Sequence, residues 1–227
     1  MTLMIKAVLF DLFETLITEF SDGKRLSKRD YNYQALLGLS DEEFQKEWQS
    51  RSKDRMTGRF PDYPSVIKDI IAKRELEHND HAIQHLYQKR MEEKMLPFRN
   101  IGPEVIHLLT SLKNNKLKLG LVSNCTEEEI SEWRHSELAP YFDEVIFSYE
   151  VGFAKPDPRI YELACHRLKV EPSEAIFIGD GGSQELEGAH GAGLMAYQAV
   201  WFSSFIDSKF TKLVNPSDVL SGDLFSS

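Results

Sequence analysis

The sequence has few of the features that mark secreted, membrane or zinc-rich proteins. Its 227 residues contain only two cysteines, Cys125 and Cys165, which lie far apart and form no CxxC motif. The sequence therefore gives no sign of a disulfide framework or a zinc site, and reduced thiols fit best. No apolar run approaches the roughly 18 residues that span a bilayer, and the chain begins with a strand pattern instead of a signal peptide. We expect a cytoplasmic protein without a membrane partner.

Basic residues are also in the minority. The chain has 27 Lys and Arg against 36 Asp and Glu, a net charge of −9. Phosphate backbones are bound by clustered Lys and Arg, so this balance argues against a nucleic-acid partner. With 41% hydrophobic residues the chain can bury a full core, either as one large domain or as a core with a smaller accessory domain.

Four short apolar runs, at residues 6–13, 117–124, 144–149 and 175–180, are typical of strands covered on both faces in a parallel sheet. Helical patterns lie between them, at 103–113 and 158–168 among other places. Strands that alternate with helices predict βαβ units and an α/β fold with a parallel sheet. The tail after Phe202 is weakly patterned.

Residues 17–97 differ from this pattern, because they contain several amphipathic helical patterns and no run typical of a strand. Ser40 and Glu43 form a capping-box pattern, Pro64 opens a second helix, and a third begins at Asn79 or Asp80. The stretch 51–63 is predicted to be a loop. We therefore predict an inserted helical bundle at 17–97 and a discontinuous core formed by 1–16 and 98–227.

Polar residues follow the predicted strands at the edge of the sheet where ligands bind, which is formed by the carboxyl ends of parallel strands. A carboxylate such as Asp11 can attack a substrate and form a covalent intermediate, which divides one difficult displacement into two easier ones. Asp180 and Glu185 carry the hard oxygens that Mg²⁺ prefers. Ser123 can donate to a phosphoryl oxygen, and Lys155 can offset the charge of clustered acids. The full set is Asp11, Thr15, Ser123, Asn124, Lys155, Asp180 and Glu185.

Several of these residues also have a purely structural explanation. Thr15, Ser123 and Asn124 are common cap or turn residues. Lys155 could be an ordinary solvated lysine, and Glu185 could simply begin the next helix and favour its dipole. A functional interpretation depends on all of these residues lying together at one edge of the sheet.

The order of these residues resembles the haloacid dehalogenase superfamily, and the resemblance covers residues 6 to about 200. It implies a Rossmann-like core, a mobile helical cap at 17–97 and catalysis through an aspartyl intermediate. The motifs that carry the resemblance are Asp11-x-x-x-Thr15, Ser123-Asn124, Lys155-Pro156-Asp157-Pro158 and Gly179-Asp180-x-x-x-x-Glu185.

From these residues we predict a magnesium-dependent phosphatase that acts on a small, anionic phosphorylated metabolite as a monomer or homodimer. In this hypothesis Asp11 attacks phosphorus, and Mg²⁺ is held by Asp11, Asp180, Glu185 and the backbone carbonyl of Phe13. Thr15, Ser123, Asn124 and Lys155 orient the substrate and screen charge. Three arginines of the cap, Arg51, Arg55 and Arg59, are candidates for gripping an anion, although a solvated loop is an equal explanation.

One position departs from the phosphatases of the superfamily. They carry a second Asp two residues after the nucleophile, where it protonates the leaving oxygen. Here that position is Phe13, and the neighbouring Glu14 is expected to point elsewhere. The dehalogenase branch also has an aromatic residue there, and the spacing of Lys155 and Tyr161 is similar to that branch. The alternatives are therefore a 2-haloacid dehalogenase and a non-catalytic binding protein with this fold.

Overall fold

The computed structural model describes residues 4–221 and 224. Its centre is a six-stranded parallel sheet in the order β5-β4-β1-β6-β7-β8. This is the strand order of a doubly wound fold, in which the direction of winding reverses next to β1. The strands are β1 (Ala7–Phe10), β4 (Lys118–Ser123), β5 (Glu144–Phe147), β6 (Ala175–Gly179), β7 (Met195–Ala199) and β8 (Lys212–Leu213); β2 (Phe20–Ser21) and β3 (Lys24–Arg25) form a separate hairpin.

Strand β1 is completely buried because helices cover both faces of the sheet. Val8 and Phe10 pack into an apolar cluster with α6 (Pro103–Asn114), whereas Ala7 and Leu9 pack into a second cluster with α8 (Pro158–Leu168) and α9 (Glu185–Gly191). Successive side chains of a strand point to opposite faces, so a continuous apolar run is required here. The predicted α/β class and parallel sheet are confirmed.

Between β3 and α6 the chain forms five helices around an apolar cluster of their own. The capping box of Ser40 and Glu43 is present at the start of α2, with both of its hydrogen bonds formed. We keep the division into a core (1–16 and 98–227) and a cap (17–97) as a proposal, which this separate cluster supports. The helices are α1 (Tyr33–Leu37), α2 (Asp41–Ser50), α3 (Ser52–Met56), α4 (Tyr63–Lys73) and α5 (Asp80–Met95).

The structure corrects several sequence-based expectations. The stretch 51–63 is not only a loop, because it contains α3, and the insert contains the short β2–β3 hairpin. Helix α4 begins at Tyr63, where Asp62 caps it, one residue before Pro64. Strands β7 and β8 were not predicted. The first predicted strand, 6–13, is shorter and ends at Phe10; the third ends at Phe147 and is followed by α7 (Ser148–Val151).

The loop after α3 touches the sheet region directly. Gly58 has a positive φ of 72°, and a Cβ atom at this position would overlap the backbone carbonyl of Tyr149 in α7. Only glycine allows this approach, because any side chain would displace one of the two backbones. The helical segment therefore lies against the end of β5, above the carboxyl edge of the sheet.

No helix in the described residues is both long and apolar enough to cross a membrane.

Candidate active site

Asp11 lies where β1 ends, at the reversal of strand order next to β6. Its backbone N–H continues the ladder by donating to the carbonyl of Ile178 at 2.9 Å, which fixes the position of the residue. The residue is 7% exposed, and its Oδ1 accepts a hydrogen bond from Lys155 Nζ at 2.5 Å. Burial raises the pKa of Asp11, and the charge of Lys155 opposes this shift. The lysine therefore favours the ionised carboxylate that a nucleophile requires.

Lys155 is buried and joins two carboxylates, because its ammonium also donates to Glu185. Burial alone would lower the pKa of Lys155, but the charges of Asp11 and Glu185 hold it above the ordinary value. Burial raises the pKa of Glu185 to about 8, against the attraction of Lys155. A buried ammonium between carboxylates is not the ordinary solvated lysine that the sequence left open.

Asn124 forms hydrogen bonds with the backbone of Lys155 and not with its ammonium group. Its Oδ1 accepts from the backbone N–H of Lys155 at 2.7 Å, and its Nδ2 donates to the carbonyl of the same residue at 2.9 Å. Asn124 follows β4, so this pair of hydrogen bonds ties the loop after α7 to the neighbouring strand end. Asn124 thereby positions Lys155.

Two hydroxyl groups lie at the same edge without a partner. Thr15 and Ser123 are fully buried, and neither Oγ1 of Thr15 nor Oγ of Ser123 has a hydrogen-bond partner in the part of the chain that the structure describes. Burying an unsatisfied hydroxyl costs free energy, so such groups indicate a ligand that completes them. Each is able to donate to an anionic oxygen.

The turn after β6 supplies the remaining carboxylates. Asp180 Oδ1 accepts from the backbone N–H of Gly182 at 2.8 Å, and Glu185 Oε1 accepts from Gly181 at 3.0 Å. Gly179 must lack a Cβ, because one would overlap the Glu185 carboxylate. One oxygen from each of Asp11, Asp180 and Glu185 lies within 4.8 Å of the others, a spacing that suits a hard cation.

The Glu185 carboxylate differs from the other two because both of its oxygens already have partners, Lys155 and Gly181. Each hydrogen bond occupies a lone pair, so Asp11 and Asp180, which each have one oxygen without such a bond among the described residues, have more lone pairs left for a metal. Direct metal binding by Glu185 stays a prediction, as does a contribution from the Phe13 carbonyl. The contacts show that Glu185 is a second anchor for Lys155. Glu185 is in turn held in place by the Tyr161 hydroxyl, which donates to the Glu185 carbonyl at 2.7 Å.

Neither Phe13 nor Glu14 offers a proton to this site. Phe13 is an aromatic ring with the Lys94 ammonium 5.2 Å from its centroid. Glu14 has both carboxylate oxygens engaged nearby, one with the Thr18 hydroxyl at 2.7 Å and one with the backbone N–H of Glu19 at 2.9 Å. The expectation that Glu14 points elsewhere agrees with these contacts.

Two cavities adjoin helix α3. The first, of about 570 Å³, is lined by Asn124 and Lys155 on one side and by α3 on the other. The second, of about 400 Å³, lies among the cap helices, and Met56 of α3 lines both. Phe44 and Trp48 of α2 also line the second cavity. The sequence did not single out Met56, because nothing in its local pattern shows that it faces two cavities.

A buried ion cluster joins α5 to the segment after β4. Arg90 donates to Glu129 at 2.8 Å and to Glu128 at 3.4 Å, and Lys94 lies 3.0 Å from Glu129. Burial alone would raise the pKa of Glu129, but Lys94 and Arg90 lower it from about 4.5 to about 2. Glu128 is different: burial and the charge of Glu129 raise its pKa.

We expect Glu129→Gln to lower the free energy of unfolding by about 3 kcal/mol at pH 7, because it leaves Arg90 and Lys94 buried with less compensating charge. The matched variant Glu128→Gln should change it by less than about 1 kcal/mol, since the ionised form of Glu128 is disfavoured by burial. A carboxyl with a lowered pKa stabilises the fold fully above its unfolded value, here about 4.5, and loses this effect as the pH falls towards 2. Urea unfolding between pH 7 and pH 3 should therefore show the deficit of Glu129→Gln shrinking with acid. Equal losses in the two variants would contradict this assignment.

A buried aspartate at the switch point of a doubly wound sheet, with a lysine, two hydroxyls and a second aspartate around it, defines a hydrolase site of the kind that forms an acyl intermediate. The model of the haloacid dehalogenase-like hydrolase family matches residues 5–193, and the chain belongs to this family. The resemblance found in the sequence is thereby confirmed.

Relatives and solved structures agree with this assignment. The chain is 28% identical over 199 residues to a glyceraldehyde 3-phosphate phosphatase of Methanopyrus kandleri, covering 85% of this chain and 82% of the relative. A phosphatase of the family from Thermococcus onnurineus has a similar structure, with a TM-score of 0.66, 24% identity and coverage of 96% and 99% of the two chains. A 2-haloacid dehalogenase from Pseudomonas syringae gives 0.65, 21% identity and coverage of 96% and 97%. The fold alone therefore does not separate phosphatase from dehalogenase.

Proposed function

We propose that the protein is a magnesium-dependent phosphatase that hydrolyses small phosphate monoesters through an aspartyl-phosphate on Asp11. The observation that carries this proposal is the second aspartate. Asp180 lies beside Asp11 and Glu185, and of these three clustered carboxylates two, Asp11 and Glu185, contact the buried ammonium of Lys155. When all three are ionised the site has two uncompensated negative charges, which a divalent cation would neutralise.

The donors present fit magnesium, because carboxylate oxygens are the ligands that this ion selects. Asp11 and Asp180 would hold it, with Glu185 and the Phe13 carbonyl as the further predicted ligands. When bound, the ion supplies charge stabilisation for the phosphoryl group and helps to orient it.

The side chains of the site have separate roles in this reaction. Oδ1 of Asp11 accepts from Lys155, which leaves Oδ2 to attack phosphorus. The bond from phosphorus to the leaving oxygen breaks, and a bond from Asp11 forms. The hydroxyls of Thr15 and Ser123, which lack a protein partner among the described residues, donate to phosphoryl oxygens. Water then attacks phosphorus in the aspartyl-phosphate, which releases phosphate and restores Asp11.

Proton delivery to the leaving oxygen is the step for which the described site has no side chain. Phe13 has no proton to give, and Glu14 is engaged with Thr18 and Glu19. The proton must come from water or the substrate, at a cost in rate, because general acid catalysis contributes roughly 10²–10⁴-fold. We therefore infer a preference for esters whose leaving group departs readily.

The experiment is a direct comparison of two reactions. We expect phosphate release from a panel of phosphorylated metabolites and from an aryl phosphate, and this release should stop when EDTA removes the metal. Release of chloride from 2-chloropropionate with EDTA present, without release of phosphate from any ester, would overturn the proposal in favour of a dehalogenase. That alternative is favoured by the aromatic Phe13 and by Tyr161, which anchors Glu185 beside Lys155.

The compartment and assembly follow the same proposal. Both cysteines are free and buried, which suits a reducing cytoplasm. We propose that the enzyme acts there on a small anionic substrate, as a monomer or a homodimer.

A further inference from the structure

Of the three cap arginines that the sequence offers as anion ligands, two are already paired. Arg51 donates to Glu47 and to Asp69, each at 2.7 Å. Arg59 is largely exposed and pairs with Asp54 at 3.0 Å. Both have carboxylate partners within the cap. Each charge is already compensated, and neither residue lines either of the two cavities.

Arg55 is different in every one of these respects. It is only 5% exposed, yet within the described part of the chain its side chain forms no hydrogen bond and no ion pair, and its Nε is buried without a partner. A guanidinium keeps its charge in proteins, so it cannot relieve this burial by losing a proton. Its guanidinium carbon lies over the face of Trp48, 3.8 Å from the ring centroid.

The Arg55 side chain lines the cap cavity of about 400 Å³, and its surroundings point to the ligand that would fill it. Aromatic side chains, among them Tyr33, Phe44, Trp48 and Tyr63, form one part of the wall. The rest is mainly polar and includes the carboxylates of Asp41 and Glu129. The other buried cations at the cavity, Arg90 and Lys94, are bound to Glu129. Of the buried cations at this cavity, Arg55 is therefore the one whose charged group is available to an incoming anion.

This cavity adjoins the catalytic edge at two points. Met56, the residue after Arg55, also lines the cavity that contains Lys155, and Lys155 contacts Asp11. Lys94 lines the cap cavity, and its ammonium lies above the ring of Phe13, two residues from the nucleophile. These contacts place the cap cavity next to the catalytic edge of the sheet.

We propose that Arg55 binds a second anionic group of the substrate, a carboxylate or a second phosphate, at the end away from the bond that is cleaved. The inference rests on the proposed phosphatase function and narrows its substrates to small phosphate monoesters that carry another negative charge. The planar guanidinium fork matches such a group with two parallel hydrogen bonds. The aromatic part of the wall contacts the carbon chain between the two charges.

The test is equilibrium binding of phosphonates, which cannot be hydrolysed, measured by isothermal titration calorimetry with Mg²⁺ present. Phosphonocarboxylates with two to five carbons are compared with alkylphosphonates in which a methyl group replaces the carboxylate. Bisphosphonates of the same lengths form the third series, so that a preference for carboxylate or for phosphate is read directly. At the best length the second anion should tighten binding about 10- to 100-fold in the wild type.

Arg55→Met should abolish this advantage and leave the affinity for alkylphosphonates within about twofold of wild type, which also shows that the variant is folded. Arg55→Lys should retain part of it, because a point charge replaces the fork. Arg59→Gln, which removes an exposed arginine of the same segment, should behave as wild type.

An equal advantage in the wild type and Arg55→Met, or none in the wild type, would overturn the role of Arg55 while leaving the phosphatase proposal in place. Failure of every phosphonate to bind would overturn both.

Discussion

Asp11→Asn should lower phosphate release by at least about 10³-fold, because the amide is a far weaker nucleophile than the carboxylate and cannot form the acyl phosphate. The variant should fold, since Asn is nearly isosteric with Asp and Lys155 keeps its contact with Glu185. Release of phosphate from an aryl ester, followed under saturating Mg²⁺, measures the loss. Thermal unfolding of the same samples verifies the fold.

A matched control is available on the surface. Asp207 has a side chain that is 95% exposed and pairs with Lys212 at 3.0 Å, so Asp207→Asn should retain wild-type activity. Acid quenching during turnover, with mass spectrometry of the peptide that contains Asp11, should detect a phosphorylated aspartate in the wild type and none in Asp11→Asn. Activity above a tenth of wild type in Asp11→Asn would remove this residue as the nucleophile.

Phe13→Asp should raise kcat for alkyl phosphates by about 10²-fold, the lower end of the contribution of a general acid. The lower end is expected because the Lys94 ammonium lies close to the ring of Phe13 and would favour the ionised form of the new carboxyl group. For an aryl phosphate, whose leaving group departs without a proton, the rate should rise by less than about threefold. The ratio of kcat for the two esters is the measurement.

Phe13→Asn is the control for this gain, because it has the size and polarity of Asp without its proton. If the carboxyl group acts as an acid, Asn gives no gain with alkyl phosphates. The same gain with Asn and Asp would show that the smaller side chain acts by opening space. Neither variant gaining activity would contradict the idea that a missing acid limits the rate.

How far the sequence predicts the fold depends on how local each signal is. The continuous apolar runs at β1, β4, β5 and β6 are local signals, and all four strands are present, although each ends earlier than predicted. Strand β7 is less apolar, and β8 is two residues long and exists because it pairs with β7. Helix α3 was missed because Gly58 and Pro61, which indicate a loop, lie just beyond it.

The candidate site likewise contains residues that local signals predict and residues that they do not. Asp11, Asp180 and Lys155 lie at or after the ends of predicted strands and stand in the order of the family motifs. The sequence was therefore enough to predict that they lie together. That Arg55 has no ion pair among the described residues depends on which carboxylates pair with Arg51, Arg59 and Arg90 in the folded chain. The carboxylates that pair with Arg90 are distant in sequence. Arg51 and Arg59 each have a partner within five residues, but a nearby carboxylate alone does not show which arginine is left unpaired.

The unpartnered hydroxyls of Thr15 and Ser123 have a consequence for the thermodynamics of the whole protein. Under the proposed function, each buried donor costs the folded state free energy until a phosphoryl oxygen accepts from it. Neither group has a hydrogen bond to the described residues that must break when that oxygen arrives, so the site needs little reorganisation. Because the ligand binds the folded chain only, occupancy adds to stability, by about 2.7 kcal/mol at a concentration 100 times Kd. Substrate and product thus act as stabilisers of the fold, and resistance to unfolding rises with their concentration.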